Sequence, residues 1–193
     1  MHLAFSSTRS GNPLHVDFFS VHFSIFDRDQ CSLAVQLTNF IAQQTAKRQG
    51  QASTVILAGD FNSYFDFEYP IEYLMMGPVL PKEMDPCAQF YGRFSNGIIP
   101  PSPTLRDVML ERWGNQVQLL HTFTNFDTIG NLRSEDKSRP DHIFYRSHSG
   151  PDGVELDCAL LFGDEYIRNI QFPDGSAVFP SDHLGIFASF KRS

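Results

Sequence analysis

The stretch VILAGDFNSYFDF, Val55 to Phe67, opens as a buried strand and then turns polar. Val55, Ile56, Leu57 and Ala58 carry no charge and run directly into Gly59, Asp60, Phe61 and Asn62. A short apolar run bounded by turn residues reads as a strand inside a sheet. In α/β sheets, ligands bind just beyond the carboxyl ends of the strands, which makes Asp60 and Asn62 candidate functional residues. The competing reading is a plain turn, because Gly, Asp and Asn hydrogen-bond their own backbone there.

Upstream, HVDFFSVHFSIF (residues 15–26) alternates. Phe19, Val21, Phe23 and Ile25 share one face, and Phe18, Ser20, His22 and Ser24 the other, so a strand is expected with His22 on its more polar side. Between the two strands, Leu33, Leu37, Phe40 and Ile41 fall at helical spacing. Asp29 suits the start of that helix, and Lys47, Arg48 and Gly50 suit its end. Strand, helix, strand in this order is a crossover unit.

Downstream, PIEYLMMG predicts a short helix opened by Pro70 and closed by Gly77. Residues 78–103 are rich in Pro and Gly without a period, the pattern of a long surface loop, either a binding element or a disordered insertion. TLRDVMLERWG offers Thr104 as N-cap, Leu105, Val108, Met109 and Trp113 at helical spacing, and Gly114 as stop. QVQLLHTF, HIFYR, VELDCALLF and LGIFASF read as strands. The whole implies a layered α/β fold in a single domain over residues 1–193.

Composition narrows the function. The formal charge of −7 lacks the basic footprint of nonspecific nucleic-acid binding, so a polyanionic substrate needs a local patch or bound cations. Cys31, Cys87 and Cys158 are odd in number and widely spaced, which argues against a disulfide framework or a zinc site. MHLAFSSTRS has no signal-peptide pattern and no run is long enough to span a membrane, so a soluble, intracellular chain is expected.

Two further polar groups fall at strand edges: Ser181, Asp182 and His183 in PSDHLGIFASF, and Arg139, Asp141 and His142 in SRPDHIFYR. Each alone is also compatible with an ordinary structural role. Together, carboxylates, an Asn and a His at strand termini suit hydrolysis of a phosphate ester. Carboxylate and carbonyl oxygens bind hard ions such as Mg²⁺ or Mn²⁺, which take phosphate oxygens as further ligands. A carboxylate can fix the tautomer of a His and keep it cationic, and a second can deprotonate the attacking water.

FSVHFS, ILAGDFNS, SRPDHIF and PSDHLGIF, in this order, resemble the motifs of the endonuclease/exonuclease/phosphatase superfamily of metal-dependent phosphoesterases. The resemblance implies an α/β sandwich of two packed mixed β-sheets flanked by helices. It also implies catalytic roles for five residues. Asp60 would orient and deprotonate the water, Asn62 would hold the phosphate and support Asp60, and His183 would contact the scissile phosphate. Asp141 would pair with His183, and His22 would be a second imidazole. Asp182 would be a metal ligand and Mg²⁺ or Mn²⁺ the cofactor. Arg139 matches a motif position without an assigned role, while Pro140 and His142 replace the aliphatic residue and Tyr more usual in the family.

The resemblance covers the rear portion of the family domain. The family's leading strands, one ending in Asn and one in Gln-Glu with a metal-binding Glu, have no counterpart before the His22 strand. A missing N-terminal half in a longer chain is therefore an expectation. The expected function is divalent-metal-dependent phosphodiester hydrolysis of nucleic acid or a phospholipid-type substrate. The alternative is a catalytically disabled paralogue acting as a phosphate-binding or interaction module. GDFNS and DHIFYR are similar to deadenylase motifs and PSDH to those of tyrosyl-DNA phosphodiesterase-like members. The Trp-Cys-Asp-Arg signature of inositol phosphatases is absent. QFYGRF, residues 89–94, is suited to stacking on bases, to touching lipid, or to the core.

Overall fold

The computed structural model describes residues 2–5, 14–47, 53–63, 69–77, 84–90, 104–119, 122–126, 132–148, 153–162 and 183–192. The quoted stretch forms β3 (Thr54–Asp60), at the centre of a five-stranded mixed sheet. On one side it runs parallel to β2 (Leu14–His22), whose outer neighbour β1 (His2–Phe5) is antiparallel. On the other side it meets antiparallel β7 (Asp141–Arg146), flanked by the two-residue β4 (Arg106–Asp107). The expected crossover is present, with α1 (Asp27–Ala46) linking β2 to β3.

Alternation along the strands sends side chains to two different cores. Val55, Leu57 and Phe144 pack with Val35 and Ile41 of α1 and with Ile71 and Leu74 of α2 (Tyr69–Met76). Ile56, Ile143 and Tyr145 face the opposite way, toward Leu156, Ile186 and Phe190 of the antiparallel pair β8 (Val154–Phe162) and β9 (Gly185–Arg192). Val108 and Met109 of α3 (Val108–Trp113) complete that second core. Another antiparallel pair, β5 (Phe123–Phe126) and β6 (Leu132–Ser138), is joined by a bridge between Phe123 and His183. Two packed sheets with flanking helices is the architecture expected from the sequence. The second layer is antiparallel among the described residues.

Several local expectations are corrected. Helix α1 begins at Asp27, not at Asp29, and the Asp29 amide bonds back to the Phe26 carbonyl. Its buried face is Ala34, Val35 and Ile41, whereas Phe40 is half exposed and borders an open trough with Leu33, Leu37, Val21 and Phe23. Strand β2 stops at His22, which leaves Ile25 exposed. Helix α3 starts after Asp107, whose carboxylate accepts from the amides of Met109 and Leu110, while Thr104 lies outside it with φ of 46°. Asp caps by accepting these otherwise unpaired amides. Residues 116–119, expected at the start of a strand, belong to a 3₁₀ helix, Gly114–Leu119, that buries Val117. Of the 78–103 segment, residues 84–90 are described, ending in a 3₁₀ turn at Ala88–Phe90. The expectation against a disulfide is overturned, because Cys31 at the start of α1 is bonded to Cys87 in that segment, with 4.9 Å between their Cα atoms. Spacing hid this pair, since only the fold brings residues 56 apart in sequence together.

Gly59 explains one letter of the opening motif. Its φ is 152°, and a Cβ there would overlap the Val21 carbonyl oxygen of β2. Only glycine lets the two strands approach at this point.

Candidate active site

Register assembles the site. His22 lies opposite Asp60 in the β2–β3 pairing, and Asp60 lies opposite Asp141 in the β3–β7 pairing, so three adjacent strands present these residues in one row. Alternation places the row on the face that looks toward the second sheet, with Ile56 and Ile143. From that second layer His183 completes the group, its Nδ1 lying 2.8 Å from Oδ2 of Asp141. On the far side, His22 Nε2 is 3.7 Å from Oδ2 of Asp60. Four of the residues singled out from sequence are thus brought together.

Asn62 belongs to the same corner, and here both readings of the motif hold at once. Asp60 Oδ1 accepts from the Asn62 backbone amide at 2.7 Å, a turn of the kind Asp favours. Asn62 adopts φ of 49°, which Asn tolerates better than most residues. Its Nδ2 donates to the Phe23 carbonyl at 2.9 Å, and its own carbonyl accepts from Gln30 Nε2 at 2.7 Å. These bonds tie the loop after β3 to the end of β2 and the start of α1. Oδ2 of Asp60 is not engaged by the turn and stays on the side of His22.

Thr122 joins the two halves of the site. Its Oγ1 accepts from the Asp141 amide, its own amide donates to Ser138, and its carbonyl accepts from Leu184, next to His183. Sequence offers no signal for this residue or for Gln30, because both act through contacts distant along the chain.

Asp182 and Ser181 lie outside the described residues. Ligand atoms of Asp60, Asp141 and His183 all lie within 4.8 Å of one another. Two carboxylates this close repel unless a cation lies between or beside them. Their oxygens suit a hard divalent ion. Nδ1 of His183 is already turned to Asp141.

The group SRPDHIFYR divides. Asp141 joins the site, whereas Arg139 and His142 turn into the interior. Both guanidinium nitrogens of Arg139 reach Asp107, at 3.2 and 3.1 Å, and His142 Nδ1 lies 2.6 Å from the same carboxylate. Burial alone pushes the Asp107 carboxyl up, but the hydrogen bond and charge of His142 and the Arg139 guanidinium outweigh it and hold the group well below the usual carboxylate range.

No family model matches the chain and no curated protein matches it. Solved structures do. Humanized D. rerio TDP2 is 25% identical, with a TM-score of 0.50 over 94% of this chain and 57% of that one. A Bacteroides thetaiotaomicron mannosyl-6-phosphatase is 22% identical, with a TM-score of 0.51 over 94% of this chain and 52% of that one. The human Nocturnin catalytic domain with bound sulfate anion is 14% identical, with a TM-score of 0.53 over all of this chain and 52% of that one. This chain therefore spans about half the length of the solved structures it matches. The fold is that of the endonuclease/exonuclease/phosphatase superfamily, of which this chain carries a portion.

Proposed function

We propose that this chain carries catalytic residues of a divalent-metal-dependent phosphoester hydrolase acting on a phosphodiester of nucleic-acid or phospholipid type. The observation that carries the reading is the registered row His22, Asp60, Asp141 with His183 clamped to Asp141. Two carboxylates and two imidazoles converge where a substrate can reach them. The similarity to a mannosyl-6-phosphatase and to a sulfate-bound catalytic domain agrees with an oxyanion-binding site in this fold.

Each role follows from the geometry of the site. Oδ1 of Asp60 is fixed by the Asn62 amide, so Oδ2 is the oxygen that orients and deprotonates water. Asp141 holds Nδ1 of His183 and so orients the ring, which in its protonated form would neutralise charge on a phosphoryl oxygen. His22, largely exposed beside Asp60, supplies a second imidazole to the same substrate. Asn62 supports Asp60 through its backbone amide and keeps its side-chain oxygen for the site. Mg²⁺ or Mn²⁺, with Asp182 and the neighbouring carboxylates as oxygen donors, would supply charge for the phosphoryl oxygens and a lowered pKa for water.

A second reading, a phosphate-binding module without turnover, is favoured by His183 having Nδ1 turned to Asp141, which leaves two carboxylates as oxygen donors in the described ligand group. The experiment that separates them is hydrolysis of a phosphodiester panel with Mg²⁺ or Mn²⁺, by this chain and by any longer natural form, each with and without Asp60→Ala. Turnover that falls by about 100-fold or more in Asp60→Ala supports the hydrolase. Turnover that survives the substitution removes Asp60 from the mechanism, and a folded longer chain that binds phosphate without turnover supports the module.

A further inference from the structure

We propose that Asp107, Arg139 and His142 form a buried positioning device that sets the Asp141–His183 pair against Asp60, an inference that rests on the hydrolase reading above. The three side chains are 1%, 4% and 0% exposed, so none of them can meet substrate directly. What they hold is the segment between them. Arg139 and His142 bracket Pro140 and Asp141, and both ends of that four-residue arc are fastened to one carboxylate.

The fastening is unusually complete. Oδ1 of Asp107 accepts from Met109, Leu110 and Nη1 of Arg139, and Oδ2 accepts from Nη2 of Arg139 and from His142. Because Oδ2 is an ionised acceptor, Nδ1 of His142 carries the hydrogen, and the other ring nitrogen has no partner among the described residues. Asp107 is thus the polar contact that fixes the ring, which stacks on Phe144 at 5.0 Å and meets Phe61 edge-on. A planar guanidinium gripped by two parallel bonds sets direction as well as distance, which an ammonium cannot do.

Rigidity of the arc passes straight to the site. The Pro140 carbonyl accepts from the Phe61 amide, one residue past Asp60, and the Asp141 amide donates to Thr122. Thr122 in turn holds Leu184 beside His183. Alternation along β7 turns Asp141 to the substrate side as it turns His142 inward. A shift of the arc therefore changes the Asp141–His183 hydrogen bond and its offset from Asp60 together. Misplacement of a reacting group by about 1 Å can cost on the order of 100-fold in rate.

The test combines turnover with a readout that does not depend on it. In chain labelled with ¹⁵N-leucine, the backbone amide resonance of Leu184, which donates to Thr122 beside His183, is assigned by its loss in Leu184→Ile. Its shift and its hydrogen-exchange protection are then compared in wild type, Arg139→Lys and His142→Phe. A destabilised control, Ile41→Ala in α1, measures the effect of lost stability alone. Arg139→Lys and His142→Phe are expected to shift the Leu184 amide and to lower its protection about tenfold. They are also expected to lower kcat about tenfold with KM within about twofold, while Ile41→Ala moves neither kcat nor the Leu184 shift. Should Arg139→Lys not fold, His142→Phe, which leaves the Asp107–Arg139 pair in place, carries the same test. An unmoved Leu184 amide in a folded variant overturns the proposal and leaves the cluster a matter of stability. Absence of turnover in wild type with the Leu184 amide shifted as expected contradicts the hydrolase reading and not the positioning device.

Discussion

Two carboxylate–imidazole pairs stand next to each other in this molecule, His142 with Asp107 at 2.6 Å and His183 with Asp141 at 2.8 Å. Residue types and geometry are nearly the same, yet their surroundings differ. The first pair is sealed between sheet and helix, its carboxylate saturated by two amides and a guanidinium. The second is open, with Asp141 22% and His183 34% exposed, and it faces another carboxylate. A buried pair whose carboxylate is fully engaged is scaffold, and an open pair beside a second carboxylate is the one to which the proposed chemistry is assigned. Environment, not residue identity, separates them.

The largest break in that comparison comes from Asp107→Ala. It leaves Arg139 buried without its counter-charge and α3 without its cap, and a loss of about 3–5 kcal/mol is expected from urea denaturation. Removing the tie on the α1 side, Cys31→Ala with Cys87→Ala, is expected to cost about 2–4 kcal/mol by the same measurement, because it frees a loop of 56 residues in the unfolded chain.

Acid sharpens the contrast next. The folded Asp107 carboxyl is held below its unfolded value, so the stability it contributes is complete above the ordinary Asp range near pH 4. That stability is lost as pH falls through the depressed folded value. Unfolding free energy measured from pH 6 down to pH 2 should decline by on the order of 2 kcal/mol more in wild type than in Asp107→Leu, which has no such group to protonate. The smallest effect belongs to Gln30→Ala, which removes one bond to the Asn62 carbonyl. It is expected to cost about 0.5–1.5 kcal/mol in thermal unfolding, with phosphodiester turnover falling more than stability because the site loop is what loosens.

Much of this was legible in residue order. The uncharged run ending on Asp60, the alternation around His22 and the crossover helix all follow from local periodicity, and they appear as β3, β2 and α1. Three candidate site residues converge because strand ends on one edge of a sheet are neighbours by construction, and His183 joins them from the second layer. The assignment of Asp141 and His142 to one polar group failed because adjacent strand residues point to opposite faces, a fact the motif itself conceals. Thr104 suited a cap by residue type, but the cap is Asp107, the carboxylate that Arg139 also grips. The disulfide, Gln30 and Thr122 depend on contacts between segments far apart in sequence, for which no local pattern exists.

The contrast between the two pairs meets its most direct test in Asp141→Asn, with phosphodiester turnover and melting temperature measured on the same preparation. The account predicts a protein that melts within about 4 °C of wild type and has lost about 100-fold or more of its turnover. A variant that keeps its turnover, or that loses stability while each folded molecule remains as active as before, would contradict it.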